Sequence, residues 1–152
     1  MKNCARRMRA LFGIGLVLTL STYGLANPAH PVIPNPVITF LGAEYLTVSG
    51  SQQTRYYFEV FNREAYPPDM FAASPKLPPC GTNTNASRTW IDIFDQNGKR
   101  LYGFCAIGKP DDLNKLWFGI PSNEVPPSWI YVEFTDRQTN TKYKSNLAET
   151  VL

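Results

Sequence analysis

The feature that most constrains this chain is the alternation of its side chains in short runs. In Trp129–Asp136 (WIYVEFTD), Ile130, Val132 and Phe134 fall on one side, while Trp129, Tyr131 and Glu133 fall on the other. In Arg55–Asn62 (RYYFEVFN), Tyr56, Phe58 and Val60 oppose Tyr57, Glu59 and Phe61. Arg88–Phe94 sets Ile91 and Ile93 against Trp90, Asp92 and Phe94. Successive side chains of a strand point to opposite faces, so a period of two suits a sheet and not a helix. No long stretch with helical periodicity competes, and Pro, Gly and Asn punctuate the runs. The chain therefore reads as all-β, burying its aliphatic stripes by packing one sheet on another.

The strands follow from the same pattern. Val37–Leu41 and Tyr45–Val48 read as one strand interrupted at Gly42, with a bulge there. Arg55–Asn62 follows. Arg88–Phe94 and Lys99–Ile107 flank Asp95-Gln-Asn-Gly98, and an Asn-Gly pair there predicts a tight hairpin in which both central residues take positive φ. Leu116–Ile120 is a shorter strand. Trp129–Asp136 and Lys142–Ala148 form a second hairpin around Arg137–Thr141. That gives seven strands, the count of an immunoglobulin-like sandwich. Arg63–Ser87 interrupts the rhythm with Pro67, Pro68, Pro75, Pro78 and Pro79. Loops of that length are often functional. Pro110–Asn114 reads as one helical turn, with Pro near its start and acids in its first turn.

The amino end has a different character. Lys2, Arg6, Arg7 and Arg9 precede the uncharged run Ala10–Leu20, and small residues stand at Gly24 and Ala26. A basic start, a short apolar core and a small-residue site are the order of an export signal. The apolar run is short of the roughly 20 residues that span a bilayer. We therefore expect residues 1–26 to be a signal peptide, 27–36 a proline-rich tether (NPAHPVIPNP) and 37–152 the β-sandwich domain. The expected location is secreted or periplasmic, with no stable membrane insertion once the signal is cut.

Removing the signal changes the charge. All 12 acidic residues follow Ala26, whereas four of the 15 basic ones precede it, so the formal charge of +3 becomes −1. The remainder has no Lys/Arg run, which argues against nucleic acid as a partner. Cys4 leaves with the signal, and Cys80 and Cys105 remain. An even pair in an exported chain most simply forms a disulfide. Closing a loop of that length stabilises by roughly 3 kcal/mol in the chain-entropy treatment.

The inventory of reactive residues is short. His30 is the only histidine and lies in the tether, so no histidine base stands beside a serine or cysteine nucleophile. A His-containing zinc site fails for the same reason. Asp95–Gly98 has oxygen ligands beside a glycine, but Lys99 and Arg100 follow where a calcium loop needs acids. Asn85-Ala-Ser87 fits an N-glycosylation sequon, which has meaning only in a eukaryotic secretory pathway. No metal and no cofactor are expected, and no catalytic residue is assigned. Paired carboxylates among Glu59, Asp92, Asp95, Glu133 and Asp136 leave a glycosidase-like hydrolase as the alternative. A further alternative is an inhibitor acting through the long loop.

What remains is the aromatic-plus-carboxylate side of each strand. Turned outward, it offers rings and acids on one surface, suited to a protein or carbohydrate ligand. Trp90, Trp129, Tyr131 and Tyr57 are the candidate binding residues. The simpler reading is that Arg63–Ser87 covers that face and makes a second core, since large exposed apolar patches are rare on monomers.

The last third, Trp129-Ile-Tyr-Val-Glu-Phe-Thr-Asp136 followed by a turn and Lys142-Tyr-Lys-Ser-Asn146, resembles the final two strands of fibronectin type III and immunoglobulin-like domains. The resemblance implies a seven-stranded sandwich and no particular activity. The first half departs from it in lacking the usual early Trp/Pro pattern and in carrying the 63–87 excursion. Pro79–Trp90 and Tyr102-Gly-Phe-Cys105 resemble small exported bacterial proteins of unassigned function.

Overall fold

A computed structural model describes residues 32–74, 87–105 and 107–150. The expected signal peptide, His30, Cys80 and the sequon's Asn85 lie outside the described residues. The protein is all-β with two sheets. Its strands are β1 (Ile38–Val48), β2 (Ser51–Val60), β3 (Thr89–Asp95), β4 (Arg100–Phe104), β5 (Leu116–Pro121), β6 (Trp129–Asp136), β7 (Thr141–Lys144) and β8 (Ala148–Glu149). One sheet has the order β1-β2-β5; the other runs β4-β3-β6-β7, with β8 also paired to β6. An immunoglobulin domain places its first, second, fourth and fifth strands in one sheet and its third, sixth and seventh in the other. This chain keeps that division except that its fourth strand has joined the second sheet.

Three local expectations are corrected. Among the described residues there are eight strands and not seven, because Ser145–Leu147 separates β7 from β8. The side chain of Asn146 breaks the run by turning to β1: it accepts from Ile38 N at 2.8 Å and donates to Ile38 O at 3.1 Å. The second strand begins at Ser51, earlier than expected, and meets β1 through a two-residue turn in which Ser49 and Gly50 have φ of 50° and 82°. The polar stretch Ser51–Thr54 concealed this extension. In the Asp95–Lys99 turn only Gly98 has positive φ, at 82°. Asp95 explains why: its Oδ1 accepts from Asn97 N and Lys99 N, both at 2.8 Å, closing a longer turn with an extra residue. That carboxylate serves the turn. The bulge in β1 is where the sequence places it, between Phe40 and Gly42, with Gly42 at φ 133°. Pro110–Asn114 is a single 3-10 turn, in which Asp112 accepts from Gly108 N and Lys109 N.

The core lies between the sheets. Tyr56, Phe58 and Val60 of β2, Phe118 of β5, Ile91 and Ile93 of β3, and Ile130, Val132 and Phe134 of β6 are all buried. These are the aliphatic-leaning stripes of the alternation. Each large side chain withdrawn from water contributes roughly 1.5–3 kcal/mol.

The described part of the long segment adds to this core. Tyr66, Met70 and Phe71 are buried, and Phe71 meets Phe134 edge-on at 6.0 Å. Residues 63–74 thus fill the inner layer; they do not form a second core on the outward face. The Tyr66 hydroxyl donates to Pro34 O at 3.1 Å, tying down the described end of the proline-rich lead-in. Burial pushes the Tyr66 phenol well up from its ordinary pKa.

An ion pair locks the segment's return. Asp136, 2% exposed, accepts from Arg88 Nε at 2.9 Å and Nη2 at 2.5 Å. Burial alone would raise the Asp136 pKa, but Arg88, Gln138 N and the Thr139 hydroxyl outweigh it and hold it below the usual carboxylate range. Arg88 N also donates to Ala72 O, and Arg137 N to Arg88 O. The disulfide expected between Cys80 and Cys105 involves Cys80, which lies outside the described residues.

Candidate functional site: two outward aromatic faces

The alternation forces aromatic side chains outward on both sheets, and the four candidate residues divide between the two faces. Trp90, Tyr131 and Trp129 lie on the outer face of the five-stranded sheet, while Tyr57 lies on that of the three-stranded sheet. Even the first three do not form one cluster. Trp90 pairs with Thr135, six residues along β6 from Trp129. At strand rise that is about 20 Å.

The five-stranded face is built in rows. Asp92 and Glu133 stand directly opposite each other in the β3–β6 ladder. Like charges in that position repel, and each is neutralised by a neighbour: Arg100 Nε lies 2.7 Å from Asp92, and Lys142 Nζ lies 2.7 Å from Glu133. Glu133 accordingly raises the pKa of Lys142. On one side of this row Phe94 and Tyr131 stack with centroids 5.1 Å apart, and Lys144 Nζ sits 3.9 Å from the Tyr131 ring. On the other side the guanidinium of Arg137 lies 4.5 Å from the ring of Trp90, whose buried Nε1 has no hydrogen-bond partner among the described residues. Trp129 stands apart at the start of β6, 40% exposed.

The three-stranded face contains residues that the sequence reading missed. Trp117 stands directly across from Tyr57 in the β2–β5 ladder and is 37% exposed. Arg55 lies over Trp117 at 4.2 Å, and Lys115 over Tyr57 at 4.6 Å. Glu44 accepts from the Tyr57 hydroxyl and lies 3.8 Å from Arg55. Tyr102, 40% exposed, reaches from edge strand β4 to Trp117, with ring centroids 6.1 Å apart, and meets Phe104 at 5.2 Å. A continuous row, Phe104–Tyr102–Trp117–Arg55–Glu44, therefore runs across the open side of the sandwich and onto the sheet. The alternation of Leu116-Trp117-Phe118 was the available signal for Trp117. Tyr102 had none, because contact between strands of different sheets has no local signature.

The carboxylates weighed for hydrolysis are engaged in pairs or turns. Glu59 lies 3.2 Å from Arg63, Asp92 and Glu133 have their cations, and Asp95 holds its turn. Asp136 is held ionised, opposite to the raised pKa that a glycosidase acid needs. Among the described residues no three His, Cys, Asp or Glu side chains gather as a metal site requires. No described helix is long and apolar enough to cross a membrane.

No protein-family model matches the chain, and no curated protein matches it. A crystal structure of the human pre-T cell receptor is similar at 16% identity, covering 76% of this chain and 99% of that one, with a TM-score of 0.41.

Proposed function

We propose that the protein is an exported, non-catalytic binding or structural module of the cell envelope or extracellular space, and that its ligand is a protein or a carbohydrate. The observation that carries this reading is the row on the three-stranded sheet: Trp117 and Tyr102 are more than a third exposed, yet fixed by Arg55, Phe104 and the Tyr57–Glu44 pair. A preorganised ring with an exposed face loses little conformational entropy when it stacks on a sugar or on an apolar side chain. The adjacent Arg55, Lys115 and Glu44 supply hydrogen bonds of both polarities. Trp90, Tyr131 and Trp129 form the second candidate surface.

Binding is tested by titrating tryptophan fluorescence with soluble oligosaccharides and with charged peptides. Trp117→Ala is expected to abolish the response while Trp90→Ala retains it. A Trp117→Ala protein that binds like wild type would remove this face from the proposal.

Export and the disulfide are tested together by mass spectrometry of the released protein. The expected N-terminus is at or within a few residues of Asn27, with no thiol titrating before reduction. Full-length protein retained in the membrane, or two free thiols in the native state, would refute the respective part.

A further inference from the structure

Among the described residues the two sheets present five edge strands, and four of them, including the two-residue β8, carry the devices that discourage strand addition: cations, proline or shortness. β4 has five residues and begins at Arg100. β5 ends at Pro121 and has the Tyr102 ring beside its Trp117. β7 is four residues long and carries Lys142 and Lys144. β1 differs. It is 11 residues long, ITFLGAEYLTV, without Lys, Arg or Pro. Its one charge, Glu44, is engaged by Tyr57 and Arg55 on the outer face of the sheet.

The edge of β1 is bonded at its beginning, where the Asn146 amide bonds both main-chain groups of Ile38 as a neighbouring strand would, and β8 lies beside the strand without pairing to it. Beyond that point no described residue pairs with it. Main-chain groups alternate in direction along an antiparallel ladder. Val37 O accepts from Phe61 N on the β2 side, and Ile38 points away to Asn146. The two-residue turn at Ser49–Gly50 makes Val48 and Ser51 the closing pair. Counting back from that pair and across the bulge at Leu41, Ala43, Tyr45 and Thr47 aim their N–H and C=O groups at the open edge.

Beside this stretch lies a recess of about 270 Å³ lined by Ala43, Tyr45, Thr54, Tyr56, Pro126 and Pro127. Tyr45 is 84% exposed at its rim. An added strand would find free hydrogen-bonding groups along the edge and a hollow for its inward side chain in which Thr54, Ser128 and Thr150 stand among the rings and prolines.

We propose that this edge pairs with the same edge of a second copy, antiparallel about a two-fold axis at Tyr45. That register opposes Ala43 to Thr47 of the partner subunit and Glu44 to the partner's Leu46. It avoids placing Glu44 opposite itself, as an axis at Glu44 would, and it keeps clear of the Leu41 bulge and the Ser49–Gly50 turn. It also brings the partner's Tyr45 over the small Ala43 side chain at the recess. Two three-stranded sheets would thereby join into one of six strands.

The test is sedimentation velocity on the released protein up to about 500 µM, a range that reveals small interfaces. Wild type is expected to dimerise with concentration and to protect the Ala43, Tyr45 and Thr47 amides from hydrogen exchange. Tyr45→Lys, at an exposed side chain, and Tyr45→Pro, which removes an outward N–H, should each weaken association about tenfold or more while leaving the melting temperature of the monomer nearly unchanged. If Tyr45→Pro fails to fold, Tyr45→Lys decides alone. A monomer at every concentration, or a dimer that survives Tyr45→Lys, overturns the proposal; in the first case an extended peptide becomes the occupant to test.

Discussion

The two outward faces are made of the same materials and use them differently. Each carries tyrosine, tryptophan, carboxylates and cations on alternate strand positions. On the five-stranded sheet these groups engage one another, with Trp129 alone of the candidate rings standing off the rows at 40% exposed: Arg100 meets Asp92, Lys142 meets Glu133, Lys144 lies over Tyr131 and Arg137 over Trp90. On the three-stranded side the row ends in rings that stay accessible, Trp117 at 37% and, reaching across from β4 of the other sheet, Tyr102 at 40%. An outward aromatic stripe is therefore not a binding surface by composition alone. Cations lie across rings on both faces, Arg55 and Lys115 on one and Arg137 and Lys144 on the other, so what separates the faces is the Tyr102 ring, which reaches Trp117 from the opposite sheet. The five-stranded sheet receives its cations from β7 and from the β6–β7 turn; the three-stranded sheet takes Arg55 from β2 itself and Lys115 from the residue before β5.

The largest expected effect tests the foundation of the five-stranded face. Arg88→Ala would leave Asp136 charged and buried beside Trp90's strand, and should cost about 3 kcal/mol in urea unfolding. The pH dependence has a definite sign. Because the Asp136 pKa is depressed in the folded state, its contribution is present above its ordinary value and is lost as pH falls through the folded value. Stability should drop below about pH 4 in wild type. Asp136→Asn should flatten that part of the acid limb. An unchanged acid limb would show that other carboxylates govern it.

The next effect compares the faces directly. Trp90 has its indole nitrogen buried and a guanidinium over its ring, so Trp90→Ala should cost about 2 kcal/mol. Trp117 keeps over a third of its surface in water, so Trp117→Ala should cost nearer 1 kcal/mol. Thermal melts of both variants measure the gap. Equal losses would erase the distinction between a self-satisfied and an accessible face.

Much of this could be read in the chain, and the division follows a physical line. Period-two patterning fixed the faces of β2, β3 and β6, because burial of one stripe is a local property repeated at every second residue. The bulge at Gly42 and the single turn at Pro110 were legible for the same reason, since backbone preferences act within a few residues. The beginning of β2 at Ser51 was not, because Gln52 and Gln53 are held by ladder bonds rather than by burial. Nor was the assignment of Tyr57 and Trp90 to different sheets, which depends on strand order. The Tyr66–Phe71 anchor was hidden too: three apolar residues among prolines have no periodicity, and Tyr66 and Phe71 find their place against Phe134 on a distant strand.

The smallest expected effect concerns Gly103, which lies beneath the Arg100–Asp92 pair. Its φ is not positive, so the position needs glycine for space and not for backbone freedom. A Cβ there would fall 2.1 Å from Arg100 Nη2 and 2.7 Å from Asp92 Oδ1. The arginine is the end of a flexible side chain, 61% exposed, and can swing away. Gly103→Ala therefore trades an exposed ion pair, about 0.5 kcal/mol, against the reduced entropy of the unfolded chain, about 0.4–1 kcal/mol in the opposite direction. The net change should be within about 0.5 kcal/mol, too small for stability alone to interpret. A double-mutant cycle reads it better. In wild type, Arg100→Ala and Asp92→Asn should show a small coupling that fades with salt; in the Gly103→Ala background that coupling should vanish. If Gly103→Ala instead costs more than about 2 kcal/mol, the glycine accommodates main chain that cannot move. The charge row would then be a rigid part of the sheet, and the contrast between the two faces would rest on packing rather than on mobile cations.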